Sequence, residues 1–313
     1  MFYNFVSARQ LAENGVLDHL LELASKFEEL DEKGKLPETL KGKVMASVFY
    51  EPSTRTRFSF ESAMHKLGGR VITSEAAALF SSAKKGETLS DAMKVISSYA
   101  DVIVLRHEET GAARTALEAA SVPVINAGDG VGEHPTQALL DAYTIKKELG
   151  GLESLKIAIV GDLLNGRTVH SLAYMLPLLS GAELFLVSPP SLRLPEPYKQ
   201  YLQEKNTPYH ELDSLDGVLG EADVVYMTRV QKERFKSLDE YEKVKNSYVL
   251  TKESLAKMKE KSVIMHPLPR VNEILPEVDS DKRAAYFRQA KNGVYARMAL
   301  LHTMLGKAKH GIF

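Results

Sequence analysis

A chain of 313 residues is long for a single hydrophobic core and sufficient for two domains. Its 40 Lys and Arg against 41 Asp and Glu leave a net charge of -1, so no global field draws in nucleic acid or an anionic membrane surface. The lack of any cysteine excludes disulfides, thiolate metal sites and cysteine nucleophiles. No apolar run approaches the ~18–20 residues of a membrane span, and Met1–Gln10 lacks a secretory pattern, so a cytoplasmic location is the expectation.

Leu11, Val16, Leu20, Leu23 and Phe27 recur at helical spacing and predict a helix from about Ala8 to Leu30, ended by Lys33-Gly34-Lys35 and Pro37. Short apolar runs then alternate with helical stretches. Strands are expected at Val44–Phe49, Val71–Thr73, Val102–Leu105 and Val122–Ile125, with helices at Phe58–Leu67, Leu89–Tyr99, Ala112–Ala120 and Thr136–Leu149. Gly150-Gly151 is the best internal boundary. Beyond it the pattern restarts: strand Ile157–Val160, helix Thr168–Leu179, strand Leu184–Val187, helix Tyr198–Glu204, strands Val224–Met227 and Val263–Met265, and a final helix from Ala290 to Leu305.

This alternation predicts an α/β chain of two domains, each a parallel sheet flanked by helices. The expected division is 1–150 and 151–290, with helices linking the two and residues 291–313 packing back on the first. Ligands in open α/β sheets sit beyond the carboxyl ends of the strands, often between domains. Residues just after each strand therefore matter most.

After the first strand comes Glu51-Pro52-Ser53-Thr54-Arg55-Thr56-Arg57. Hydroxyls and guanidiniums cluster where a helix begins, and helix N-termini present free N–H groups to anions. An N-cap alone needs one hydroxyl, so an anion pocket is the stronger reading. Arg106-His107 follows the third strand. The fourth is followed by the glycine-rich Asn126–Gly132 and then His134-Pro135-Thr136-Gln137, where Pro135 suits the first helical position and His134 and Gln137 flank the first turn. Alone, His134 reads as structural; beside these groups it gains weight.

In the second half, Gly161-Asp162-Leu163-Leu164-Asn165-Gly166-Arg167-Thr168 nearly matches a nucleotide-binding P-loop, with arginine where lysine belongs. That lysine reaches the terminal phosphates, so the nucleotide reading is discounted. Arg229 and Gln231 alternate along an extended segment and project together. Pro267 and Pro269 in His266-Pro267-Leu268-Pro269-Arg270 fix a rigid turn that leaves carbonyls available to a ligand NH₂. Arg55, Arg106, Arg167 and Arg229 all fall at strand ends, and converging guanidiniums need matching negative charge, such as a phosphate plus a dicarboxylate.

Phe49-Tyr50-Glu51-Pro52 with Ser53–Arg57, and then His134-Pro135-Thr136-Gln137, resemble two motifs of the carbamoyltransferase family. Arg229-Val230-Gln231 with His266–Arg270 resembles its aspartate branch; the ornithine branch carries a cysteine in place of Pro267. The resemblance covers essentially the whole chain. It implies transfer of a carbamoyl group from carbamoyl phosphate to the amine of L-aspartate, early in pyrimidine synthesis, with no cofactor and no metal. Ser53, Thr54, Arg55 and Thr56 would bind phosphate and Arg106 phosphate and carbonyl, while Thr56, Arg106 and His134 polarise the carbamoyl oxygen. Gln137 and the carbonyls of Leu268 and Pro269 would hold the carbamoyl NH₂; Arg167, Arg229 and Gln231 would hold the aspartate carboxylates, with Leu268 beside them.

The family is trimeric, so Ser81 and Lys85 would reach a neighbouring subunit's site, Lys85 touching both substrates and standing as the one candidate base. Regulatory subunits or other pathway enzymes are possible partners. Glu51 is expected to pair with Arg167 and Arg234 as the domains close. The chain departs from several relatives at Leu164-Asn165, where they place a basic residue followed by an aromatic or histidine. Three other readings stay open at this stage: a carbamoyltransferase for another amine, a nucleotide enzyme using Gly161–Thr168, and a non-catalytic homologue.

Overall fold

The structure, a computed structural model, describes residues 3–13, 15–76, 86–235 and 237–306. It forms two compact units, 1–140 with 291–313, and 141–290. The first break lies ten residues before the expected Gly150-Gly151. It falls inside a continuous helix, because the helical pattern of Pro135–Leu149 does not pause where the packing changes.

In the first unit the helices are α1 (Val16–Glu32), α2 (Thr54–Lys66), α3 (Leu89–Ile96) and α4 (Ala112–Ala119), and the strands are β1 (Val44–Phe49), β2 (Arg70–Glu75), β3 (Val102–His107) and β4 (Val124–Asp129). The single helix expected from Ala8 is two pieces. Ala8–Ala12 forms a 3-10 turn capped by Ser7, and Gly15, at φ 72°, starts α1 from a left-handed conformation that glycine adopts without a Cβ penalty. The four strands are all parallel, in the order β2-β1-β3-β4. Central β1 is buried along Met45–Phe49, as expected for a strand covered on both faces, whereas edge strand β2 is mostly exposed.

α5 (Pro135–Leu149) and α10 (Tyr286–Leu305) each belong partly to both units, since the breaks at 140 and 290 fall within them. The second unit holds β5 (Lys156–Val160), α6 (Arg167–Met175), β6 (Glu183–Val187), α7 (Glu196–Glu204), β7 (Tyr209–Leu212), β8 (Val224–Met227), α8 (Leu238–Val244), α9 (Lys252–Lys257) and β9 (Val263–Met265). Its parallel strands are ordered β7-β6-β5-β8-β9. Ala158, Val160, Val225, Met227 and Ile264 pack with Leu219, Leu255 and Tyr286 in its core. β7 escaped sequence reading because Tyr209-His210-Glu211-Leu212 is a polar edge strand with no apolar run. Helices α8 and α9 escaped too: α8 buries no residue and α9 only Leu255, so neither shows a helical apolar stripe. No helix among the described residues is long and apolar enough to cross a membrane.

These strand orders locate the ligand positions. In the first sheet the chain leaves β1 for β2 on one side and returns to place β3 on the other. In the second it runs β5, β6, β7 one way and then sets β8 and β9 on the far side of β5. Crevices open at such switch points, beyond the strand carboxyl ends. The loops that flank them are those after β1 and β3, and those after β5 and β8. At the second, Gly161 takes φ +119°, and a Cβ there would stand 2.4 Å from the Thr228 carbonyl oxygen. Gly161→Ala is therefore expected to lower stability by about 1–3 kcal/mol, read as a lower denaturant midpoint; an unchanged midpoint would contradict the tight approach of these loops.

Candidate functional site

In the first unit, Ser53 takes extended backbone angles before α2 but makes no side-chain cap, so its hydroxyl is not spent on its own helix. The first turn of α2 then presents backbone N–H groups at the positive end of the helix dipole. Thr54 and Arg55 are exposed, while Thr56 is buried and points across to β4's following turn. Its Oγ1 lies 3.5 Å from His134 Nε2. Arg57, the second arginine of the motif, is turned away: Glu75 at the end of β2 holds it at 3.1 Å. Arg106, near the end of β3, is largely buried and donates to Glu51 Oε1 at 2.8 Å.

The glycine-rich segment after β4 exists to deliver His134. Asp129 accepts from the Gly111 and Glu133 backbone N–H groups at 2.9 and 3.0 Å and from Asn126 Nδ2 at 3.1 Å, which knits the turn together. His134 then opens α5, its carbonyl accepting from Gln137 N at 2.9 Å. Its imidazole is buried at 4% exposure, with Thr136 Oγ1 3.5 Å from Nδ1. Ser53, Thr54, Arg55, Thr56, Arg106, His134 and Gln137 thus all sit on the β1, β3 and β4 exits of one unit. Ser81 and Lys85 lie outside the described residues.

In the second unit, the P-loop-like segment is a structural latch. Asp162 is fully buried; burial pushes its carboxyl up, opposed by bonds from the Asn165 N–H at 2.9 Å, the Asn165 amide and the Gln231 N–H. Asp162 N donates to Thr228 Oγ1, and Thr228 Oγ1 to Val160 O, tying the β5 and β8 exits together. Gln231 Nε2 donates to the Asn165 carbonyl at 2.9 Å. The loop so fixed sets Arg167 at the first position of α6 and Arg229 and Gln231 after β8, all half-buried. Arg234 lies exposed on the 3-10 turn Lys232–Arg234. The motif pattern does not single out Asp162; an acid directly after a buried strand and its glycine is the signal that marks it.

The turn after β9 is held as tightly. Leu268 N donates to His266 Nδ1 at 2.7 Å, so that nitrogen is an acceptor and the proton sits on Nε2, which donates to Glu273 Oε1 at 2.7 Å. Glu273 also accepts from Val271 N and Asn272 N. Gln289 accepts from His266 N at 2.9 Å and donates to buried Asp141, which also accepts from Tyr226 Oη. Leu268, at φ 55°, occupies a conformation unusual for leucine. This scaffold presents the carbonyls of residues 268 and 269. Arg270 points elsewhere, paired with Asp279 at 2.7 Å.

Burial holds the His266 imidazole below its ordinary 6.5, against the pull of Glu273; the charges of Arg229 and Arg270 act the same way as burial. For Glu273, burial would raise the carboxyl, but the bond from His266 and the backbone donors keep it below its ordinary 4.5. In both groups the unfolded chain takes its proton at a higher pH than the folded one. Stability is therefore complete above about 6.5 and declines as pH falls, first through His266 and then, below 4.5, through Glu273. Calorimetry should show Tm falling below pH 6.5. His266→Ala is expected to cost about 1–3 kcal/mol at neutral pH and to reduce the slope just below 6.5; an undiminished slope would contradict the assignment.

A model of the aspartate/ornithine carbamoyltransferase carbamoyl-P binding domain matches residues 4–147, and a model of the Asp/Orn binding domain matches residues 153–304. The chain is 52% identical over 291 residues to a chloroplastic aspartate carbamoyltransferase of Arabidopsis thaliana, covering 93% of this chain and 75% of that one. A Trypanosoma cruzi aspartate transcarbamoylase solved with carbamoyl phosphate superposes at a TM-score of 0.91 with 41% identity, covering 97% of each chain. The catalytic subunit of the M. Jannaschii aspartate transcarbamoylase superposes at 0.88 with 49% identity, covering 97% of this chain and 98% of that one. With family models matching both halves and this identity over most of its length, the chain belongs to the aspartate/ornithine carbamoyltransferase family.

Proposed function

We infer that the chain transfers the carbamoyl group of carbamoyl phosphate to the α-amine of L-aspartate, giving N-carbamoyl-L-aspartate and phosphate, an early step of pyrimidine synthesis. The observation that carries this reading is the exit edge of the first sheet. There an uncapped helix start, a largely buried arginine on β3 and the Thr56–His134 pair gather at the strand exits. The relatives' names supply the acceptor, and the proline-fixed turn at Pro267–Pro269 supports the aspartate branch.

The step is an acyl transfer. The neutral amine attacks the carbamoyl carbon, a C–N bond forms, the C–O bond to phosphate breaks, and the amine proton passes to the departing phosphate. Ser53, Thr54, Arg55 and Thr56, with the N–H groups opening α2, hold the phosphate. Arg106 serves phosphate and carbonyl. Thr56, Arg106 and His134 donate to the carbamoyl oxygen as charge develops there, where one such donor is worth ~3–4 kcal/mol. Gln137 and the carbonyls of Leu268 and Pro269 accept from the NH₂. Arg167, Arg229 and Gln231 take the two aspartate carboxylates, and Leu268 borders them. Bringing both substrates together supplies a further large share of the rate.

The same proposal includes a homotrimer in which Ser81 and Lys85 serve the neighbouring subunit's site, and a cytoplasmic location, to be decided by fractionation because plant relatives are named chloroplastic. Glu51, which here takes Arg106, is proposed to pair with Arg167 and Arg234 once both substrates are bound.

Arg55→Ala is expected to cut turnover by at least ~10²-fold, since a phosphate-holding charge is lost; retained turnover would refute the assignment. A bisubstrate analogue joining a phosphonate to an aspartate moiety should bind at least ~10²-fold more tightly than carbamoyl phosphate in calorimetry. Carbamoylation of ornithine but not aspartate in an amine panel would reject the acceptor. Mixing dissociated Arg55→Ala and Lys85→Ala chains should restore part of the activity if sites are shared, and none if each chain is self-sufficient.

A further inference from the structure

α10 carries an arginine where its pattern calls for an apolar residue. Around it stand Val294, Tyr295, Ala296, Met298, Ala299, Leu300 and Leu301, yet Arg297 is only 3% exposed. Burying a guanidinium costs several kcal/mol unless its donors are met, so its contacts are informative. Arg297 Nη1 donates to Ser59 Oγ on α2 at 2.9 Å, Nη2 donates to Thr136 Oγ1 on α5 at 3.4 Å, and the guanidinium sits 4.9 Å over the Phe60 ring. Room for it is made one turn earlier: a Cβ at Gly293 would stand 2.5 Å from Nη1. The arginine therefore touches both helices whose starts build the first-unit site.

The direction of these bonds follows from the groups. A guanidinium only donates. Thr136 Oγ1 accepts from it, which leaves the single hydroxyl hydrogen to go elsewhere. The neighbouring group is His134 Nδ1, at 3.5 Å. If Nδ1 accepts that hydrogen, the neutral ring must carry its own proton on Nε2, the nitrogen that faces Thr56 Oγ1 at 3.5 Å. We propose that Arg297 is a positioning residue that acts through the Thr136 hydroxyl to hold His134 as the Nε2–H tautomer, aiming that N–H as a donor toward the substrate's carbonyl oxygen. The inference rests on the assignment of His134 to that oxygen. The opposite tautomer would turn a lone pair toward an oxygen that is gaining negative charge, and would oppose the reaction.

The test reads the ring directly. In protein labelled with ¹⁵N in its histidine rings, the His134 signals, assigned by their loss in His134→Ala, should show a protonated Nε2 and a bare Nδ1 at neutral pH. Thr136→Val, which keeps shape but removes the hydroxyl, should yield a mixture of tautomers, and kcat should fall by roughly 10–100-fold, the scale known for partners that orient metal-ligating histidines. Arg297→Gln should relax the tautomer similarly, since an amide both donates and accepts. Thr136→Ser should restore the wild-type ring signals and most of kcat. A proton on Nδ1 in the wild-type ring, or wild-type ring signals in Thr136→Val, would overturn the relay. The wild-type spectrum decides the matter even where a variant fails to fold. Because the ring measurement needs neither substrate nor turnover, a chain inactive toward aspartate would refute the proposed reaction and leave the tautomer result separately readable.

Discussion

Among the described residues, the groups assigned to a substrate stand at or just beyond the carboxyl ends of parallel strands. That constraint organises both units. Parallel strands must be joined by crossovers, and where successive crossovers go to opposite sides of one strand the sheet edge opens. In the first sheet this happens between β1 and β3, in the second between β5 and β8. Ser53–Thr56 and Arg106 flank the first opening; Arg167, Arg229 and Gln231 flank the second. The chemistry is grafted onto positions that the topology would leave open in any chain with these strand orders.

What holds the loops at those openings is a set of buried polar networks rather than apolar packing. Asp162 gathers the β5 and β8 exits, Glu273 and His266 close the turn after β9, Asp129 folds the glycine-rich stretch, and Arg297 spans α2 and α5. Each takes a charged or titratable group out of water, and each is met by at least two partner residues. The exposed ion pairs are of a different kind. Arg114–Glu118, more than two-thirds exposed on both sides, contributes at most about 1 kcal/mol and positions nothing. A buried polar group left without its partner costs about 1–3 kcal/mol, and more where it is charged. That asymmetry makes these loops rigid: each wrong geometry strands a buried polar atom.

The two sets of loops are built by the same device in different chemistry. In the first unit a neutral histidine is oriented from behind by a cation, through a hydroxyl. In the second, a histidine with no assigned contact to substrate, His266, is oriented by an anion, and its backbone presents the carbonyls of residues 268 and 269. Both imidazoles are buried, and each has its neutral tautomer selected by a partner that can only donate: a backbone N–H for His266, and for His134 a guanidinium acting through Thr136.

Much of this was legible in the residues. The strand–helix alternation, the hydroxyls and arginine opening α2, the His134–Gln137 turn and the paired prolines at 267 and 269 are local patterns, set by periodicity and by what a helix start or a proline does to backbone, and they identify an anion-binding α/β chain of this family. Elements lacking a local pattern were not legible: β7 is a polar edge strand, α8 buries nothing, and the break at Gly15 depends on one backbone angle. That Arg57 faces away from the site is set by Glu75, eighteen residues further on, and no local pattern shows it. In Gly161–Thr168 the arginine in place of lysine already weighs against a phosphate loop, but that its acid is a latch shows only through Thr228 and Gln231. The sequence by itself determined which residues of the chain can grip an anion, because that ability is carried by side chains and the turns beside them. Only the tertiary structure decided which way those side chains face and which proton His134 keeps, because the partners that settle these questions lie 78 and 161 residues away along the chain and meet only when the sheets and helices close on them.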